Sequence, residues 1–186
     1  MNPSTAQILE AVDLCKADAV IVLPNNKNIV AVAKQVDSLT EKQVEVIATQ
    51  SVPEALAALV DYDPNATVDD NAAAMHDAVA RVRTGEVTQA VRDASVDGAS
   101  VREGDWIALA REGVVGAAGS PGDAVCKLLD VLVDDDSEIV TVLLGCDAPA
   151  KETERIREHI EYAFPHLEVE FHDGGQPLYP YLVGVE

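Results

Sequence analysis

The 186 residues carry 33 acidic and 13 basic side chains, a formal charge of −20 at pH 7. Such a charge repels a phosphate backbone and an anionic membrane surface alike, which makes nucleic acid a poor partner and otherwise serves solubility or the docking of a basic partner. Hydrophobic residues make up 48% of the chain and aromatics only 4%, so the core has to be built from Val, Leu, Ile and Ala packed between regular elements. The length suffices for one full core or two small lobes. Cys15, Cys126 and Cys146 form no C-x-x-C pair and lie in or beside apolar runs, which predicts reduced and mostly buried thiols. No basic stretch precedes an apolar one at the N-terminus, and no apolar run approaches the roughly 20 residues that span a bilayer, so a cytoplasmic location is the expectation.

In chain order, residues 4–16 place Ile8, Leu9, Val12 and Cys15 on one helical stripe, with Ser4 or Thr5 able to cap it. Ala19-Val20-Ile21-Val22-Leu23 is a continuous apolar run, the pattern of a strand buried on both faces. Residues 28–36 return to helical spacing, residues 44–48 are strand-like, and Ser51-Val52-Pro53-Glu54 fits a capping box opening a helix to Val60. Two such strand-helix units predict parallel pairing and a small three-layer α/β lobe over residues 1–64. Tyr62-Asp63-Pro64-Asn65-Ala66 marks the boundary, because it cannot continue a helix.

Beyond it a helix is expected over 68–82. Antiparallel hairpins follow over 86–117, with turns at Asp97-Gly98, Glu103-Gly104-Asp105 and Glu112-Gly113. Ser120 and Pro121 suit N-cap and N1 of a helix to Val133. Strands over 138–144, 167–171 and 181–185 and a helix over 149–164 complete a mixed-sheet α+β lobe, residues 65–186.

Several runs occur in an order that resembles a known family: Leu23-Pro24-Asn25-Asn26-Lys27-Asn28-Ile29, Thr49-Gln50-Ser51-Val52-Pro53, Arg83-Thr84-Gly85-Glu86-Val87-Thr88 and Gly174-Gly175-Gln176-Pro177-Leu178-Tyr179-Pro180-Tyr181. Together they resemble the C-terminal domain of the kinase component of bacterial fatty-acid kinase, often labelled dihydroxyacetone-kinase-like. The resemblance implies a DegV-like fold. It also implies that ATP and Mg²⁺ belong to a kinase domain outside this chain, that the missing portion lies at the front, and that the chain itself carries no cofactor. The partners it implies are a DegV-like fatty-acid-binding carrier and the kinase and middle domains of the same protein; homodimerisation is left open. The loop Gly145-Cys146-Asp147-Ala148-Pro149 departs from the family pattern, so no role is carried over to it.

Two places could bind something. Asn25, Asn26 and Asn28 follow the first strand and Thr49, Gln50 and Ser51 the second, which puts both loops at the carboxyl edge of a parallel pair, where open α/β sheets take ligands or partners. The plain alternative is that Asn25 and Asn26 make a turn, Asn28 caps a helix and Ser51 closes its box. On the binding reading, Asn26→Ala with Gln50→Ala weakens affinity at unchanged melting temperature. His172, Gly174, Gly175 and Gln176 form the second candidate, a histidine before a glycine pair. Dihydroxyacetone kinases hold substrate on a histidine, yet no second polar group is placed beside His172 by sequence. Asp134-Asp135-Asp136 reads as solvated surface. No catalytic residue or metal site emerges. The expected role is a non-catalytic module that docks or regulates the carrier. The alternatives are an acyl-binding domain with its ligand in an inter-lobe cleft, or the substrate-holding component of a dihydroxyacetone-type kinase.

Overall fold

A computed structural model describes residues 2–96 and 99–186 and divides into two compact units, Met1–Val82 and Arg83–Glu186. In the first, α1 (Thr5–Leu14) starts from a full capping box: the Ser4 hydroxyl accepts the Gln7 N–H at 3.3 Å and the Gln7 side chain accepts the Ser4 N–H at 2.8 Å. Its C-terminal carbonyls are met by the Lys42 ammonium, which donates to the oxygens of Val12 at 2.8 Å and of Cys15. β1 (Ala19–Val22), α2 (Lys27–Lys34), a short 3-10 turn at Asp37–Leu39, β2 (Gln43–Val46), α3 (Val52–Val60) and α4 (Val68–Arg81) follow. β1 and β2 pair in parallel, Ala19 opposite Gln43 and Val22 opposite Val46.

Alternation along these strands sorts the side chains into two small cores. Val20, Val22, Val44 and Val46 pack with Val12, Ala33 and Val36 on one face. Ile21, Leu23 and Ile47 pack with Ala58, Ala72, Met75 and Val79 on the other. Helices therefore cover both faces. The boundary expected after residue 64 falls instead at the end of α4, between Val82 and Arg83. Asn71 gives the reason: buried on α4, it accepts the Asp63 N–H at 2.8 Å and donates to the Asp63 oxygen at 2.8 Å. The Asp-Pro-Asn turn is folded back onto α4 and acts as a tight corner between α3 and α4.

The second unit contains β3 (Arg83–Gln89), β4 (Ala94–Val96), β5 (Ala99–Val101), β6 (Trp106–Ala110), β7 (Gly113–Ala118), α5 (Pro121–Leu132), β8 (Ile139–Leu144), α6 (Ala150–Ala163), β9 (Glu168–Asp173) and β10 (Tyr181–Val185). Six strands form a mixed sheet in the order β7-β6-β3-β10-β8-β9, antiparallel throughout except for the β8–β9 pair. β4 and β5 form a separate hairpin; its expected Asp97-Gly98 turn lies outside the described residues. Ser120 caps α5, accepting the Asp123 N–H at 3.2 Å, with Pro121 in the first turn as expected. Val87, Val140, Val142, Tyr181, Val183 and Val185 on one sheet face meet Leu128, Leu129, Ile156 and Ile160 of α5 and α6. The fold class is mixed α/β with a mixed sheet. Among the described residues no helix is long and apolar enough to cross a membrane.

Candidate functional site

Of the six polar residues after β1 and β2, Asn25 and Thr49 meet directly across the two loops. Asn25 takes a left-handed conformation, φ +56°, which Asn tolerates better than most side chains. It turns its backbone N–H onto the Thr49 hydroxyl oxygen at 3.0 Å, and the same hydroxyl donates to Asn25 Oδ1 at 2.8 Å. Thr49 is wholly buried. This reciprocal pair ties the two loop tips into one edge. Next to it Asn26, not Asn28, caps α2: its Oδ1 accepts the Asn28 N–H at 2.9 Å. Ser51 caps α3 through the Glu54 N–H at 3.3 Å, while the buried Glu54 carboxylate accepts the Gln50 N–H at 2.5 Å, one residue ahead of the standard box partner. The amides of Asn25, Asn26 and Gln50 remain half-buried at the rim, with Asn28 and Lys27 exposed beside them.

The Thr49 hydroxyl is what joins the loops, so Thr49→Val, nearly equal in volume, should strand the Asn25 N–H. We expect a loss of about 1–3 kcal/mol in urea unfolding. No measurable loss would mean the loops are held by something else.

The second candidate is internally committed. Gly174 and Gly175, the latter at φ +65°, both donate their N–H to the Leu144 oxygen at 2.9 Å. Gln176 Nε2 donates to the Leu143 oxygen at 3.0 Å, and its own carbonyl accepts the Cys146 N–H at 3.1 Å. These residues clip the 174–180 loop to the end of β8. A Cβ on Gly145 would lie 2.4 Å from the Tyr179 oxygen and 2.8 Å from the Gln176 oxygen, which is why glycine follows β8. His172 is exposed and pairs with Glu170 at 2.9 Å on β9, a polar neighbour two residues away that the strand period could have revealed.

Other expectations change. Cys15 and Cys146 are exposed and Cys126 half-buried, so the cysteines are free but not mostly buried; burial pushes the Cys126 thiol up to about 11. Cys15 is turned out because the chain leaves the helix there in extended conformation. Asp134 is more than solvated surface: the Arg83 guanidinium binds it two-pronged, also donating to Ser137 at 2.8 Å, and holds its carboxyl well below the usual carboxylate range. In the second unit burial raises the Glu86 carboxyl, partly offset by a hydrogen bond with Tyr179, whose own pKa is raised by burial beside Glu86. Neither tyrosine stands free, since Tyr181 shares a 3.0 Å bond with Thr153.

Comparison with known proteins gives these features a setting. An uncharacterized protein of Staphylococcus aureus (strain MRSA252) is 39% identical over the whole chain, and one of Staphylococcus epidermidis is 40% identical. The chain spans about a third of the length of these relatives, 34% in each case. Among solved structures, a DegV-family protein from Corynebacterium glutamicum matches 99% of this chain and 80% of its own at a TM-score of 0.68 and 11% identity. The Streptococcus pneumoniae fatty acid kinase (Fak) B3 protein, loaded with linoleic acid, matches 99% of this chain and 76% of its own at 0.64 and 14%. The dihydroxyacetone kinase of C. freundii matches at 0.62 and 13%, over 98% of this chain and 41% of its own. These likenesses establish the fold. The model of the FakA-like C-terminal family of fatty acid kinase matches residues 1–186. With its motifs in order and its whole length matched, the chain belongs to the FakA-like C-terminal family.

Proposed function

We propose that this chain is a non-catalytic module of a fatty-acid kinase and that the joined loop tips of Asn25, Asn26, Asn28, Thr49, Gln50 and Ser51 dock or regulate a DegV-like acyl carrier. One observation carries the reading: the Asn25–Thr49 pair joins two amide-rich loop tips, flanked by the exposed Lys27, into a single rim at the ends of two parallel strands. Neutral amides can donate and accept across an interface without the desolvation cost of a charge. On this reading ATP and Mg²⁺ are held by other domains of the longer protein, where an acyl carboxylate on the carrier is phosphorylated in the cytoplasm, supplying phospholipid synthesis. His172, Gly174, Gly175 and Gln176 then serve the local structure rather than a substrate, since His172 Nε2, the Gly174 and Gly175 N–H groups and the Gln176 side-chain amide all bond within the second unit.

The cap role of Asn26 changes the experiment. Alanine there would also weaken α2, by about 1 kcal/mol, so serine, an equally good cap, is the cleaner probe. Calorimetric titration of the chain with a purified, oleate-loaded DegV-like protein should show affinity reduced about tenfold or more in Asn26→Ser/Gln50→Ala, a loss of about 1.4 kcal/mol, at unchanged melting temperature. Unaltered affinity would refute the proposed surface. As a control, the chain mixed with ATP, Mg²⁺ and loaded carrier should form no acyl phosphate.

A further inference from the structure

Away from the loop-tip rim, an open groove of about 400 Å³ in the first unit is bordered by Val20, Ile21, Leu23, Leu59, Tyr62 and Met75, among others. Val20 belongs to the sheet face packed by α1 and α2, while Ile21 and Leu23 belong to the face packed by α3 and α4. Successive strand residues point to opposite faces, so a space touched by both runs alongside the strand. β2 occupies one side of β1; the groove follows the other.

The backbone agrees. β1 bonds to β2 through alternate residues, with Gln43 N–H on the Asp18 oxygen at 3.0 Å and Ile47 N–H on the Val22 oxygen at 3.1 Å. Ala19 and Ile21 therefore turn their N–H and C=O groups to the open side, and among the described residues these have no hydrogen-bond partner. All four residues of β1 are only half-buried, and Ala-Val-Ile-Val contains no lysine, proline or bulge of the kind that guards a true sheet edge. Leu59 and Tyr62, 51% and 46% exposed, extend the apolar border.

The geometry points to an added strand: an extended segment of the longer polypeptide that pairs with β1 and sends apolar side chains to both faces. A second copy is the weaker occupant, because each chain carries a formal charge of −20 and two would repel. An acyl chain would fill the groove but leave the open N–H and C=O groups unpaired. There is polypeptide to supply the strand, since the chain is 34% of the length of its curated relatives and a fifth to a quarter of DegV-family structures remains unmatched when this chain is matched almost in full. The inference does not depend on the loop-tip rim or on the carrier.

Hydrogen exchange read by mass spectrometry would compare the 186-residue chain with the full-length Staphylococcus aureus relative at the peptide that matches β1. The open-side amides should exchange at least about 100-fold more slowly in the longer protein. Equal rates overturn the proposal, as does protection in the 186-residue chain that rises with concentration, which would make a second copy the occupant. In parallel, Ala19→Pro removes an N–H that faces the groove and should leave the melting temperature of the 186-residue chain within about 2 °C, as proline on an open edge permits. A larger fall would show that this side of β1 is already paired and would equally overturn it.

Discussion

Replacing Gly145 by alanine should lower the unfolding free energy of the second unit by about 3 kcal/mol, a fall of roughly 12–24 °C in melting temperature for a unit of this size. The added methyl would meet the backbone oxygens of Tyr179 and Gln176 at 2.4 and 2.8 Å and the Pro180 Cα at 3.1 Å. None of these can swing aside as a side-chain tip could. Relief requires the 176–180 segment to lift, which breaks the Gly145 N–H bond to the Pro180 oxygen at 2.9 Å and the Cys146 N–H bond to the Gln176 oxygen at 3.1 Å. The single Trp, Trp106, lies on β6 of the same sheet and reports its unfolding by fluorescence. A loss under about 0.5 kcal/mol, the ordinary scale of surface substitutions, would show that the segment does not sit against β8 as described.

Leu128→Ala should cost about 3–4 kcal/mol, within the usual range for a buried leucine whose surroundings cannot collapse. Leu128 is fully buried on α5, among the side chains of the mixed sheet. Directly beneath it lies Gly85 on β3, where a Cβ would come within 2.6 Å of Leu128 Cδ1 and 2.7 Å of the Leu109 oxygen. The leucine is thus seated in a hollow left by a glycine. Gly85→Ala alone should destabilise by overpacking, but combined with Leu128→Ala its methyl enters the vacated space. The double variant should therefore be less harmful than the sum of the two singles by at least about 0.5 kcal/mol, measured by chemical unfolding. The Leu109 oxygen still obstructs the methyl, so rescue stays incomplete. Strict additivity would mean that the two residues do not share this contact.

What could be read from sequence was what neighbouring residues decide among themselves. Ser4, Ser51 and Ser120 each bond an N–H three residues on, so their helix starts were legible from type and spacing. The loop tips after β1 and β2 were also legible, because parallel neighbours must place them at one edge. The assignment of cap and turn within that edge was only half legible: Asn25 takes the turn as expected, in the left-handed region and bonded to the buried Thr49, but Asn26 takes the cap expected of Asn28. The apolar run at β1 signalled two covered faces correctly, but face and edge are different matters, and periodicity carries no information about whether both edges are paired. The Asp-Pro-Asn cluster marked a turn where one exists, while only Asn71, eight residues beyond Asp63, revealed that the turn folds inward. The strand expected to stop at Phe171 runs on to Asp173, and that extension is what sets His172 on the same face as its partner Glu170.

The position of β10 between β3 and β8 has a consequence for biosynthesis. A ribosome delivers β7-β6-β3 and β8-β9 as two incomplete halves, each with a bare rim, and residues 181–185 are the wedge that makes them one. Until that wedge leaves the exit tunnel the second unit cannot close, so premature stop codons ahead of Tyr181 should yield chains that chaperones or proteases capture rather than shortened working proteins.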